Sequence, residues 1–128
     1  MSNIANQHGF TLIEIIMVLV LLSLLAAIAV PRFLNLETSA LERAIDSGIA
    51  ELNSREALMW SKLKISPSGW QDDDTLFGQM NLDLGADYDW TSGPTAAEGG
   101  TLRFQRKLQI PVERTPSTQT RPGSWERQ

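Results

Sequence analysis

The hydrophobic positions of this chain fall into three regimes. Residues 10–30, FTLIEIIMVLVLLSLLAAIAV, are apolar except for Thr11, Glu14 and Ser23. As a helix rising about 1.5 Å per residue, this segment reaches roughly 30 Å, the thickness of a hydrocarbon core. Beyond Pro31 the apolar residues thin to a stripe. Leu34, Leu41, Ala44, Ile45, Gly48, Ile49 and Leu52 lie mainly three and four apart, while Glu37, Glu42, Arg43, Asp46, Glu51 and Arg55 take the other faces. That spacing predicts an amphipathic continuation of the helix. A second stripe of Leu52, Leu58, Met59 and Leu63 brings Trp60 near its end, Lys62 and Lys64 suit a helix C-terminus, and SPSG at 66–69 stops it. A helix of roughly 80 Å is too long for a globular domain of this size, so its first part is expected to project. Pro31 removes one helical hydrogen bond, and a kink or melted turn is expected near residues 27–31.

The third regime is short and turn-rich. A helical turn is expected near 75–80 and strands at 88–91, 101–107 and 108–114. The alternation Leu102, Phe104, Arg106, Leu108, Ile110, Val112 is continuous. Two strands there need a turn at 106–108, where the turn chemistry is poor, and one longer strand is the competing reading. The fold class expected is α+β: a long N-terminal helix packed on a small antiparallel sheet. The divisions are a leader at 1–9, a membrane helix at 10–30, its amphipathic continuation at 31–65, a β head at 66–114 and a disordered tail at 115–128. In that tail Trp125 is the one residue suited to docking.

Charge is segregated as well. Residues 31–102 hold five Lys and Arg against twelve Asp and Glu, net −7, whereas 103–128 hold six against two, net +4. Glu14 accounts for the rest of the whole-chain −4. The acidic block argues against a nucleic-acid surface, and the basic residues at the end are scattered rather than clustered. There is no cysteine, and the one histidine is His8. Zinc sites and nucleophile–histidine catalysis therefore have no residues to use in the head, and no enzyme is expected. Asp72, Asp74, Asp87 and Asp89 are oxygen donors for a structural calcium ion, but their spacing fits no EF-hand loop, and a solvated acidic loop accounts for them without a cofactor.

Glu14 is the unexpected residue. A carboxylate inside a spanning segment costs about 2.5–3.5 kcal/mol on insertion scales and is a functional-site hypothesis by default. Neither the leader nor the apolar segment holds a Lys or Arg to pair with it, so a partner must come from elsewhere. Cutting the chain after Gly9 would supply one: the new α-amino group of Phe10, four residues and about one helical turn away. Within one chain that group favours the helix N-terminus; between chains it would set the stagger of parallel helices. An ordinary secretory signal is a poor alternative, because the apolar stretch is too long and PRFL at 31–34 is no cleavage site.

The residues GFTLIE at 9–14, followed by the long apolar helix and Pro31, strongly resemble the processing site of the type IV pilin and pseudopilin family. The resemblance covers about the first 55 residues, and its specific part is GFTLIE with the helix and Pro31. It implies cleavage between Gly9 and Phe10 by a prepilin peptidase, N-methylation of Phe10, and assembly through Glu14 and Thr11 into a helical filament, with Pro31 at a position where many members carry proline. The implied partners are copies of this chain and related pilins, the peptidase, an inner-membrane assembly platform and membrane lipid. The implied location is the bacterial inner membrane, single-pass with a periplasmic head, then a filament in the periplasm or at the cell surface. The short cysteine-free head suggests a pseudopilin of type II secretion or a minor pilin. A major pilus subunit and a non-polymerising anchored binding module are the alternatives. The leader departs from the family's pattern: MSNIANQH carries no Lys or Arg, while Arg32 follows the span.

Overall fold

The computed structural model describes residues 9–128. The chain forms two units, Met1–Thr38 and Ser39–Gln128. Helix α1, Leu12–Lys64, supplies nearly all of the described part of the first unit and continues into the second.

In the first unit every described side chain is exposed, the apolar ones included, from Phe10 at 86% to Phe33 at 76%. The helical assignment runs through Pro31. The melted turn expected at 27–31 is therefore absent from this structure. The two hydroxyls on this stretch of α1 are satisfied locally: Ser23 Oγ donates to the Leu19 carbonyl at 2.7 Å and Thr38 Oγ1 to the Leu34 carbonyl at 3.1 Å. An apolar helix can carry such residues at little cost because no polar atom is left unpaired.

The second unit is the head, and it is α+β as expected. Its part of α1 buries Ile45, Gly48, Ile49, Leu52 and Glu56, a stripe three and four apart. Gly48 lets the sheet approach closely: a Cβ there would stand 2.9 Å from Tyr88 Cε1 and 3.3 Å from Leu84 Cδ1. The Tyr88 hydroxyl donates to the Ala44 carbonyl at 2.8 Å on the same face. Of the second expected stripe, Leu52 is core, Met59 and Leu63 pack against the core with Trp60, and Leu58 is 71% exposed. Helix α2, Asp73–Gln79, follows a connection held by Trp70, and buries Leu76.

Four strands make one antiparallel meander in the order β1 Tyr88–Thr95, β2 Gly99–Phe104, β3 Leu108–Thr115 and β4 Ser124–Arg127. Between β2 and β3 the register pairs Phe104 with Leu108. The turn adopts left-handed backbone at Gln105 (φ 49°) and Arg106 (φ 58°), closed by Lys107 N–H donating to the Phe104 carbonyl at 3.0 Å. Two strands, not one, thus occupy 99–115. Neither central residue is Gly or Asn, which is why the turn is hard to read from sequence. The core joins Ile45, Ile49 and Leu52 of α1 to Leu76, Met80, Leu102, Val112 and Trp125.

The tail corrects an expectation. Residues 115–128 are not disordered along their length: β4 pairs with β3, placing Trp125 opposite Arg114 and burying it to 1% exposure. Asn53 grips this strand with both ends of its amide, donating to the Trp125 carbonyl at 2.9 Å and accepting its N–H at 2.8 Å. Pro, Ser, Thr and Gly dominate the tail's composition, but one large aromatic and a matching amide on α1 are enough to seat it.

Candidate functional site

Gly9, Phe10 and Thr11 precede the first residue of α1 and are non-helical and exposed. The Ile15 N–H closes the first turn on the Thr11 carbonyl at 3.3 Å, so Thr11 is the N-cap residue. Thr11 Oγ1 accepts from the Glu14 N–H at 3.3 Å, and a Glu14 carboxylate oxygen accepts the Thr11 N–H at 2.8 Å. This is a reciprocal capping box, Thr-x-x-Glu, which satisfies two of the helix's orphan donors at once. It revises the expectation that Glu14 has no partner in its own chain: the partner is the uncharged Thr11 amide rather than a cation. The carboxylate also sits in the first turn, where the helix dipole favours it.

From Leu12 onward the helix holds an 18-residue window of mean hydropathy 2.9, none of it buried within the chain. Length and composition suffice to cross a bilayer. His8 and the rest of the leader lie outside the described residues.

The candidate calcium ligands are not brought together. Asp72 is the N-cap of α2 and accepts from the Thr75 N–H at 2.7 Å, bonds that hold its carboxyl below the usual range. Asp89 accepts from Arg103 Nε at 3.0 Å within a two-point ion pair that lowers it too. Asp74 and Asp87 are exposed. Among the described residues no group of three or more His, Cys, Asp or Glu side chains is arranged around a cation position.

The head instead holds a buried charge cluster that sequence reading did not single out. All five guanidinium N–H donors of Arg114 are used. Nε and Nη2 reach Glu56 at 3.1 and 2.6 Å, Nη1 and Nη2 reach Asp73 at 2.7 and 2.8 Å, and Nη1 also reaches the Ala96 carbonyl at 2.5 Å. The Trp125 indole donates to Glu56 at 2.9 Å, and the N–H and hydroxyl of Ser117 donate to Asp73 at 2.6 and 2.7 Å. The rings of Phe77 and Trp125 lie 5.0 and 5.7 Å from the guanidinium carbon. Burial pushes the Asp73 carboxyl up, but the bonds from Arg114 and Ser117 outweigh it and hold it below its ordinary value. Burial likewise pulls Arg114 down, and its two carboxylate partners more than restore it. Gly123 is required beside the cluster, since a Cβ there would stand 2.5 Å from Glu56 Oε1. The sequence did contain one signal: Glu56 continues the buried stripe four residues after Leu52. No substrate-sized chemistry follows from the cluster, because every donor is already engaged within the chain.

The family described as the prokaryotic N-terminal methylation motif matches residues 4–30. The chain is also similar to the type IV narrow pilus major component PilA5 of Thermus thermophilus, at 40% identity over 63 residues, 49% of this chain and 54% of the relative. The chain thus spans about half the length of this curated relative. No solved structure matches it. A methylation motif running into an exposed apolar helix, an α+β head and this relative agree with one another, and the chain belongs to the type IV pilin family.

Proposed function

We propose that this chain is a structural subunit of a type IV pilus-like filament, made as a precursor and assembled through its N-terminal helix. The observation that carries this is the pairing of an apolar α1 surface, unburied in its own chain, with a single carboxylate in its first turn, directly after an exposed Gly9 and Phe10. Residues 10–30 anchor the precursor in the inner membrane with the head on the periplasmic side. A prepilin peptidase hydrolyses the amide between Gly9 and Phe10, and the new Phe10 amine is N-methylated by an activated methyl donor. In the filament the Glu14 carboxylate exchanges its Thr11 contact for the Phe10 ammonium of a neighbouring copy, a charged pair stronger than the neutral one it replaces. The assembly platform and membrane lipid complete the set of partners.

Of the assemblies open to such a subunit, a pseudopilin of type II secretion or a minor pilin fits the short head without cysteine. A second reading, a major pilus subunit, is favoured by the relative's description as a major pilus component. Counting this subunit in isolated filaments by quantitative mass spectrometry separates the two, since only a major subunit dominates the polymer.

The test of the main reading is Glu14→Leu in the full chain, expressed with its peptidase and assembly partners. The variant inserts at least as well as the wild type, because it removes an intramembrane carboxylate, and it does not enter filaments. Filaments of normal yield and length from Glu14→Leu would defeat the assembly role and leave a membrane-anchored binding module.

A further inference from the structure

The geometry points to Thr11 as a positioning residue for processing: its reciprocal cap with Glu14 fixes where α1 begins and so holds the peptide bond between Gly9 and Phe10 outside the helix, in reach of the peptidase. This inference rests on the reading that the chain is cut at that bond.

Two independent observations support it. The first is the box itself. Thr11 Oγ1 and the Glu14 carboxylate each take a backbone N–H of the other residue, and α1 starts at the next residue, Leu12. A helix whose first turn is apolar has no other device here to stop it from extending upstream. An N-cap side chain supplies that stop by offering the backbone donors a local acceptor in a non-helical conformation. The second observation concerns Gly9. A Cβ added there would meet nothing within 4 Å, and its backbone does not occupy the left-handed region that favours glycine. Nothing within the described chain therefore requires glycine at this position. The requirement must come from a molecule that approaches the backbone closely, as a protease must to reach a scissile carbonyl. Phe10, on the other side of the bond, is 86% exposed and packs on nothing that would shield it.

The chemistry is amide hydrolysis. Water adds to the Gly9 carbonyl, the C–N bond to Phe10 breaks, and the products are a Gly9 carboxylate and a Phe10 amine. A peptide N–H and C=O locked into a helical turn cannot present an extended face to an enzyme, so the population with a non-helical bond limits the rate. Losing an N-cap side chain shifts such an equilibrium by roughly fivefold.

The experiment follows cleavage of the full-length membrane-inserted chain by a co-expressed prepilin peptidase, with the cut site read by intact-mass spectrometry. Wild type is compared with Thr11→Val, which keeps the β-branched shape without the acceptor, and with Thr11→Ser and Thr11→Asn, which restore it. Uncleaved precursor in each membrane fraction normalises for insertion. Thr11→Val is expected to be cut about fivefold more slowly, with Ser and Asn at or near the wild-type rate. A Val variant cut as fast as wild type or faster, or Ser and Asn variants as slow as Val, would overturn the positioning role while leaving the processing reading intact. A wild-type chain that is not cut between Gly9 and Phe10 would instead remove the reading on which the inference stands.

Discussion

Arg114 Nη2 stands 2.6 Å from Glu56 Oε1, and both side chains are wholly shielded from solvent. This pair joins β3 to α1 across the head core. Its environment is dry, so the bond is sensitive to loss of either member. Replacing Arg114 by Met removes the cation but leaves Glu56 buried beside Asp73, with only the Trp125 indole as a donor to Glu56. The expected destabilisation is about 3–5 kcal/mol, the usual result of orphaning a buried charge. Chemical denaturation of the detergent-solubilised chain, followed by tryptophan fluorescence, measures it. A midpoint unchanged from wild type would show that the cluster contributes little.

Asp73 gives the head an acid-side dependence. Its carboxyl lies below its ordinary 3.8 because the donors from Arg114 and Ser117 outweigh its burial. A depressed folded value means that the unfolded chain takes up this proton first as pH falls. The stabilisation is thus complete above 3.8 and is lost as pH drops through the folded value. Melting temperature measured from neutral pH downward should fall on the acid side, and the Asp73→Asn variant should show a flatter acid limb from a lower starting point.

Gly48 sits where helix and sheet nearly touch. Ala improves helix propensity by up to about 1 kcal/mol. Its Cβ, however, would stand 2.9 Å from a Tyr88 ring atom that is anchored by the hydroxyl bond to Ala44. Overpacking of that kind costs about 1–3 kcal/mol, so Gly48→Ala should destabilise on balance. Calorimetry of the single variant and of Gly48→Ala with Tyr88→Leu checks the cause, since the second change should recover part of the loss.

Trp125 contributes both volume and a donor. Its ring lies 5.8 Å from that of Trp90 and 6.4 Å from that of Phe77. Trp125→Ala should cost about 3–5 kcal/mol and release β4. Trp125→Phe keeps most of the ring packing but takes the indole N–H from Glu56, and should cost about 1–3 kcal/mol. Hydrogen exchange at residues 124–127 distinguishes a freed strand from a merely weakened core.

The legible parts were those governed by a strong repeating pattern. The span at residues 10–30 and the stripe through Ile45, Ile49 and Leu52 announce α1 by periodicity alone, and the GFTLIE segment points to the processing bond. What stayed hidden depended on partners distant in sequence. Nothing local marks Trp125 as a core residue, because its environment is made by Asn53 and Glu56, 72 and 69 residues away. Glu56 looked like one more helix-surface acid until Arg114 was placed opposite it. Asp72 looked like a cation ligand when its role is to cap α2. The β2–β3 turn was obscured because Gln105 and Arg106 adopt left-handed backbone without the usual residues. The capping box was readable in principle: Thr11 and Glu14 have the required spacing, and the eye was drawn to charge pairing rather than to the backbone N–H groups.

The buried cluster also imposes a timetable. Its members come from α1, α2, β3 and β4, and Trp125 is synthesised after all the others. Until β4 arrives, Glu56 lacks its indole donor and the core lacks its largest side chain. The apolar segment is made first, and its commitment to a bilayer needs none of these contacts. The chain can therefore be anchored while its head is still pliable, and the head reaches its final rigidity only afterwards.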